Sequence, residues 1–356
     1  MSQIEHNLLQ DNAEWPILKC IIWDLDNTLW SGVLSEGDDI FVTESTRQTL
    51  EELDRRGLLQ SVASRNSFDD AWKTLERLGL ADYFVEPRIS WNAKSEAVRE
   101  IQFALNIGMD TIAFIDDQPF ERAEVSHHLP EVRCYDASEA VALLGYAEFM
   151  PRFITSESAQ RRAMYLQDKA RADAVASASN QEAFTKSLEL KVNISLGQRD
   201  DLERIEELTQ RTNQLNASGY IYSFDELAGL MDSPRHMLLV VEAEDRFGSY
   251  GKIGAALVEI SDRAWTLKLL LVSCRVMSRG VGGFFLGAIC REARRRNLDL
   301  FAEYRQTDRN RAVLITLRFS GFVEHSALSE DGSLLRLDGL PAEPSSEHVH
   351  LTTPWD

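Results

Sequence analysis

The chain has 356 residues, 44% of them apolar and 27% charged, which suits two globular domains with buried cores and excludes a chain disordered throughout. Its 38 basic and 57 acidic residues leave a formal charge of −19, so phosphate backbones and anionic lipid repel it, and neither nucleic acid nor membrane is an expected partner. Apolar runs such as Leu267–Val272 fall far short of the ~20 residues of a membrane span, the first fifteen residues lack a basic signal region, and Cys20, Cys134, Cys274 and Cys290 form no C-x-x-C pair; a reducing cytoplasm is the expected compartment.

Leu18–Trp23 is an apolar run of strand length that ends in Asp24. A helical period over Glu44–Arg56 closes at Gly57, and Leu58–Ala63 is a second strand leading to Ser64. Phe68–Leu78 and Ser95–Leu105 read as helices, stopped by Gly79 and Gly108, and Thr111–Ile115 is a third strand followed by Asp116 and Asp117. Strands alternating with helices predict a parallel sheet with helices on both faces. In such sheets ligands sit outside the carboxyl ends of the strands. Asp24, Asp26, Ser64, Asp116 and Asp117 all fall there.

Residues 155–187 lack Gly and Pro and read as a long connecting helix. Beyond it, strands are expected at Leu188–Leu196, Met237–Ala243, Ile253–Ile260, Ala264–Val272, Leu298–Glu303 and from Gly321. Helices are expected at Leu202–Arg211, Phe224–Met231, Gly282–Arg296 and Ala312–Phe319. The predicted fold class is α/β: a Rossmann-like parallel-sheet domain (1–150), a helical linker (151–187), an α+β domain (188–340) and a loose polar tail (341–356).

Charge is unevenly shared, −16 over residues 1–150 and −3 over 151–356. Arg291, Arg294, Arg295 and Arg296 cluster in the second half, either as a solvated helix face or as a docking patch for an acidic partner.

Two constellations carry chemistry. In Asp24-Leu25-Asp26-Asn27-Thr28 the two acids are two apart, so both can face one site. Together with Asp116 and Asp117 they would repel one another unless a cation joined them, and hard oxygen ligands favour Mg²⁺. Ser64 and Lys94 beside such a metal suit a phosphoryl group. The second constellation, Val272-Ser273-Cys274-Arg275-Val276-Met277-Ser278-Arg279-Gly280-Val281-Gly282-Gly283, joins a strand to a helix. Glycines there let backbone N–H groups approach a phosphate. Cys274, flanked by Arg275 and Arg279, is in a setting that favours thiolate. The segment from Gln210 to Ser218, with Asn213 and Asn216, is dense in amides and hydroxyls, suited to hydrogen bonding a polar ligand or to helix capping.

The first set resembles the haloacid dehalogenase (HAD) phosphatases over about residues 17–145. The resemblance implies Asp24 as nucleophile, Asp26 as general acid/base, and Ser64, Asn66 and Lys94 on the phosphoryl oxygens. It implies Mg²⁺ at Asp24, Asp26 (through its carbonyl), Asp116 and Asp117. Asp26 and Arg65 are only 39 positions apart, so no large cap domain fits between them. The glycine-led run resembles the pyrophosphate loop of GNAT-type acyltransferases. The combination with R-T-N-Q-L-N at 211–216, Thr307, Asn310 and R-F-S-G-F at 318–322 resembles the FkbH-like proteins. That resemblance implies transfer of a glyceryl unit from 1,3-bisphosphoglycerate to the phosphopantetheine of an acyl carrier protein, with loss of phosphate, for a polyketide extender unit. It gives Cys274 the acyl group and makes Asn213, Asn216, Arg275, Arg279, Gly280, Gly282, Thr307 and Asn310 the acyl and pantetheine site. A stand-alone phosphatase acting on a small phosphorylated metabolite is the competing reading.

Overall fold

The structure is a computed structural model that describes residues 17–177, 186–212, 215–307, 310–329, 331–339 and 348–356. The chain divides into two compact units between Ala163 and Met164. Among the described residues no helix is long and apolar enough to cross a membrane.

The first unit is built on a five-stranded sheet with the order β3-β2-β1-β4-β5, parallel throughout. Its strands are β1 (Cys20–Trp23), β2 (Leu59–Ser64), β3 (Arg88–Ile89), β4 (Ile112–Asp116) and β5 (Arg133–Asp136). β1, β2 and β4 are buried along their whole length, as continuous apolar strands covered on both faces must be. β3 and β5 have no counterpart among the expected strands. Helices α1 (Glu44–Arg55), α2 (Phe68–Arg77), α3 (Lys94–Leu105) and α4 (Pro119–His128) connect the strands. In α1, Thr43 caps the first turn by accepting from the Thr46 N–H at 3.2 Å. Leu50 and Leu53 of that helix are fully buried, worth roughly 1.5–3 kcal/mol each. Gly57 ends the helix at φ 77°, and a Cβ there would lie 2.6 Å from the Ser158 carbonyl oxygen, so only glycine fits without displacing backbone. The chain runs from β1 outward to β2 and β3, then returns to β4 on the other side of β1. That reversal opens a crevice at the carboxyl ends of β1 and β4.

Helices α5 (Ser156–Ala159) and α6 (Arg161–Ser177) replace the single helix expected over 155–187; residues 178–185 of that expectation lie outside the described residues. From Met164 onward α6 belongs to the second unit. Its Arg171, 2% exposed, pairs with Asp245 at 2.9 Å and lies over the Tyr250 ring at 3.9 Å.

The second unit holds an eight-stranded mixed sheet, β11-β12-β10-β9-β8-β7-β6-β13. The strands are β6 (Leu190–Leu196), β7 (His236–Asp245), β8 (Gly248–Ile260), β9 (Ala264–Val272), β10 (Asp299–Arg305), β11 (Phe322–Ala327), β12 (Gly332–Leu337) and β13 (Val349–Thr352). Among the described residues only β9/β10 and β6/β13 of this sheet pair in parallel. Leu238 and Val240 of β7 face α7 (Leu202–Arg211) and α8 (Phe224–Met231), while Leu239 and Val241 face α9 (Val281–Arg295) and α10 (Arg311–Phe319). This is the two-residue alternation of a strand covered by helices on both faces.

The tail expected to be loose is corrected in part: residues 348–356 are described, and β13 closes one edge of the sheet against β6. Its side chains, Val349, His350, Leu351 and Thr352, alternate without a full apolar run, so its order comes from backbone pairing that only the fold supplies.

Candidate active site

Three side chains converge at the carboxyl ends of β1, β2 and β4. Asp24 follows β1, and its N–H donates to the Ile115 carbonyl at 2.9 Å, extending the sheet by one rung. Asp116 ends β4 and is 1% exposed. Lys94, the first residue of α3, is 3% exposed and reaches across to both. Its ammonium donates to Asp24 Oδ1, to the Ala63 carbonyl at 2.8 Å and to Asp116 Oδ2 at 3.1 Å. Carboxylate oxygens of Asp24, Asp116 and Asp117 lie within 4.8 Å of one another.

Burial pushes the Asp24 carboxyl above its ordinary value; Lys94 draws it back and Asp116 pushes it further. Asp116 is raised by the same burial, against the pull of Lys94. Asp117 is raised by burial and by the charge of Asp24. Three acids around one ammonium leave a negative centre of hard oxygen donors, and that donor set fits Mg²⁺.

The surroundings fix these groups. Thr28 Oγ1 accepts from the Asp117 N–H at 2.9 Å. The Gln118 N–H donates to Asp116 Oδ1 at 2.8 Å, and Arg122 donates to the Asp116 carbonyl at 2.6 Å. Ser95, next to Lys94, donates its N–H to Glu124 at 3.1 Å. Asp26 points elsewhere than the three clustered acids. Its Oδ1 accepts from Trp30 Nε1 at 2.9 Å and the Leu34 N–H at 3.0 Å, and its Oδ2 accepts from Asn66 Nδ2 at 2.9 Å. The same Asn66 amide donates to Ser64 Oγ at 3.3 Å, so Asn66 ties Asp26 to Ser64.

In the second unit the candidate residues part company. β9 and β10 pair from Ala264↔Asp299 to Leu267↔Ala302 and then diverge. The segment Leu215–Ala217 fills the gap: the Ala217 N–H donates to Leu270, the Val272 N–H to Leu215 and the Arg305 N–H to Ala217, at 3.0, 3.1 and 3.0 Å. Asn310, fully buried, donates to the Asn216 and Arg305 carbonyls at 3.1 and 2.8 Å and accepts from the Thr307 N–H at 2.9 Å. Asn216 in turn accepts from the Gly219 N–H and donates to the Tyr220 carbonyl. Both amides lock this junction instead of lining a cavity as free groups. Arg275 donates to the Tyr250 carbonyl at 3.1 Å. β9 leads into a 3-10 turn over Cys274–Arg279, and Gly280, at φ 69°, caps α9. Gly282 follows in the first turn of that helix. Asn213 and the side chain of Cys274 lie outside the described residues. Glu292 of α9 pairs with both Arg295 and Arg296, at 2.7 and 2.6 Å, so two of the four arginines share one carboxylate and the cluster stays net positive.

No protein-family model matches the chain, and no curated protein sequence matches it. Among solved structures it is similar to the N-terminal part of protein BF1531 from Bacteroides fragilis, which contains a phosphatase domain complexed with Mg. The identity is 31% over 36% of this chain and 39% of that chain, with a TM-score of 0.33. It is also similar to the ribosomal-protein-S18-alanine N-acetyltransferase from Escherichia coli: 17% identity, 44% of this chain, 97% of that chain, TM-score 0.33. A putative GNAT-family acetyltransferase from Desulfovibrio desulfuricans gives 16% identity over 41% of this chain and 98% of that chain, with a TM-score of 0.34. This chain therefore spans well under half of the Bacteroides chain.

Sequence reasoning missed two features. One is a cavity of about 640 Å³ in the second unit, lined among others by Tyr220, Tyr222, Lys268, Glu303 and Arg305. These residues are scattered over 86 positions and no local spacing groups them. The other is the ion pair of Arg65 with Glu121 at 2.8 Å, also joining residues far apart in sequence.

Proposed function

We propose that the first unit is a magnesium-dependent phosphatase working through a phosphoaspartate. The observation that supports it best is Lys94, whose buried ammonium joins Asp24 to Asp116 at the carboxyl ends of adjacent strands. Asp24, Asp116 and Asp117 would hold Mg²⁺, which when bound neutralises phosphoryl oxygens and makes phosphorus easier to attack. A free carboxylate oxygen of Asp24 attacks phosphorus, the P–O ester bond breaks, and the leaving oxygen takes a proton from Asp26. Water then attacks the aspartyl phosphate and gives its proton to Asp26, releasing phosphate and restoring Asp24. Lys94 and Ser64 stabilise charge on the phosphoryl oxygens. Asn66, Trp30 and Leu34 hold the Asp26 carboxyl in one orientation.

For the whole chain we propose a glyceryl transferase coupled to that phosphatase. The acyl phosphate of 1,3-bisphosphoglycerate is an activated donor: the Cys274 thiolate displaces its phosphate to form a glyceryl thioester, which passes to the thiol of a phosphopantetheinylated acyl carrier protein. The remaining phosphate ester is the part that needs the metal site. This reading is supported by the motif combination at 211–216, 273–281 and 318–322 and by the order strand, 3-10 turn, Gly280, helix around Cys274.

The alternative, a phosphatase with a second unit that carries no acyl group, is favoured by the inward-facing amides of Asn216 and Asn310. Intact-mass measurement of the carrier protein after incubation with the enzyme, Mg²⁺ and 1,3-bisphosphoglycerate separates the two. Transfer predicts a glyceryl adduct on the carrier that is lost with Cys274→Ala; absence of the adduct with phosphate still released leaves the plain phosphatase.

A further inference from the structure

Helix α10 runs from Arg311 to Phe319 and buries Val313 and Leu317 in the core of the second unit. Arg311, Ile315, Arg318 and Phe319 lie on the opposite side: four, seven and eight positions from the first residue is the spacing of one helix face. All four are exposed, Ile315 by 46% and Phe319 by 84%. A helix that covers a sheet ordinarily turns polar residues outward. This one turns out two large apolar side chains between two guanidinium groups.

The charge on this face limits what it can meet. Neither Arg311 nor Arg318 has an ion-pair partner among the described residues, whereas Arg295 and Arg296 of α9 share Glu292. Glu324, exposed on β11 just past the helix, pairs with neither. The stripe is thus a positive island on a chain of net charge −19. That net charge repels nucleic acid and anionic lipid. A second copy docking by the same face would set these arginines against their own equivalents, because a two-fold interface brings one patch onto itself. An acidic protein surface with an apolar centre meets both the guanidinium groups and the exposed side chains.

The position of the stripe also fits a partner of the second unit. β9 and β10 are parallel neighbours, and α9 and α10 follow them, so both helices begin at the same end of the sheet. Arg311 therefore stands at the end where the 274–279 turn leads into α9, and Phe319 lies about 12 Å further along the helix.

We propose that this face of α10 is the docking surface for an acidic protein, the acyl carrier protein of the transferase reading above, on which the inference rests. Arg311 and Arg318 steer and orient carboxylates of the carrier, and Phe319 with Ile315 forms the apolar centre of the contact.

The test is binding of a fluorescently labelled, phosphopantetheinylated acyl carrier protein to the full chain, read by anisotropy. Arg311→Glu/Arg318→Glu is expected to weaken binding by about tenfold or more, and Phe319→Ser by about tenfold. Arg311→Lys/Arg318→Lys, which keeps the charge, should stay within about threefold of the parent. Parent affinity should fall as salt rises, and fall less steeply in the double Glu variant. Circular dichroism checks the fold of each variant. Failure of the parent to bind, parent-like binding by both the double Glu variant and Phe319→Ser, or a larger loss from Arg294→Glu on α9 overturns the proposal. So does self-association of the parent that the double Glu variant abolishes. Glyceryl transfer is scored separately by mass. Binding that the stripe controls without any glyceryl adduct removes the transferase reading and leaves the docking face; an adduct formed at the parent rate by the double Glu variant does the reverse.

Discussion

Asn66 donates to Asp26 Oδ2 at 2.9 Å, from a position two residues past the Ser64 hydroxyl that the same amide also touches. One buried side chain therefore links Asp26, the proposed proton donor, to Ser64 at the end of β2. Asn66→Ala is expected to lower kcat by about tenfold to a hundredfold, since small misplacements of a reacting group are that costly, while KM changes little. Steady-state kinetics on a phosphate monoester, with circular dichroism as the fold control, checks it. A normal kcat in the folded variant would make Asn66 a packing residue.

Lys94 is the only ammonium between Asp24 and Asp116 among the described residues. Lys94→Met leaves two buried carboxyls without their cation, a loss of about 3–5 kcal/mol for a broken buried pair. Urea unfolding without metal should show this loss, and saturating Mg²⁺ should recover much of it. A variant as stable as the parent in EDTA would mean that the two acids are protonated and need no partner.

The raised carboxyls give a pH signature. Asp24, Asp116 and Asp117 all have folded pKa values above their ordinary 3.8, so in that window the folded chain binds more protons than the unfolded one. Stability from these groups is then present at low pH and lost as pH rises from about 4 through the raised values. Glu52, Glu226 and Glu292, whose pKa values are lowered, act in the opposite sense but only below their ordinary 4.5. Mg²⁺ competes with those protons, so the rise in melting temperature that it produces should grow as pH increases from 4 toward 7. Differential scanning calorimetry with and without metal measures this; a metal effect independent of pH would place the ion elsewhere.

Arg171 anchors α6 in the second unit. Its guanidinium meets Asp245, itself bonded by the Tyr250 hydroxyl at 2.7 Å. Arg171→Met leaves Asp245 charged and buried, and should destabilise the second unit by about 3–5 kcal/mol. Denaturant unfolding followed by the tryptophan signal reads it. Unchanged stability would mean that α6 does behave as a free connector.

The first unit was largely legible in the sequence. Cys20–Trp23 and Ile112–Ile115 are buried on both faces and so carry a continuous apolar signal, and each is followed by the acids that form the site. β3 is two residues long and β5 is half-buried along its length, so neither has a run to recognise. β13 forms through pairing with the distant β6, which no local pattern announces. Asn216 and Asn310 look like ligand-binding amides because composition cannot tell a side chain that faces a cavity from one that satisfies buried backbone. Arg65 and Glu121 were invisible as a pair for the same reason: their meeting depends on the order of β2 and β4 in the sheet.

As the proposed nucleophile of a metal-assisted phosphatase, Asp24 must carry the phosphoryl group during turnover. The most direct measurement is peptide mass mapping of the full chain, acid-quenched during turnover of a phosphate monoester with Mg²⁺. A phosphoryl group is expected on the peptide that contains Asp24, lost in EDTA and absent from Asp24→Asn, which should also release no phosphate. Phosphate release at the parent rate by a folded Asp24→Asn chain, or a phosphoryl group on any other residue, would contradict it.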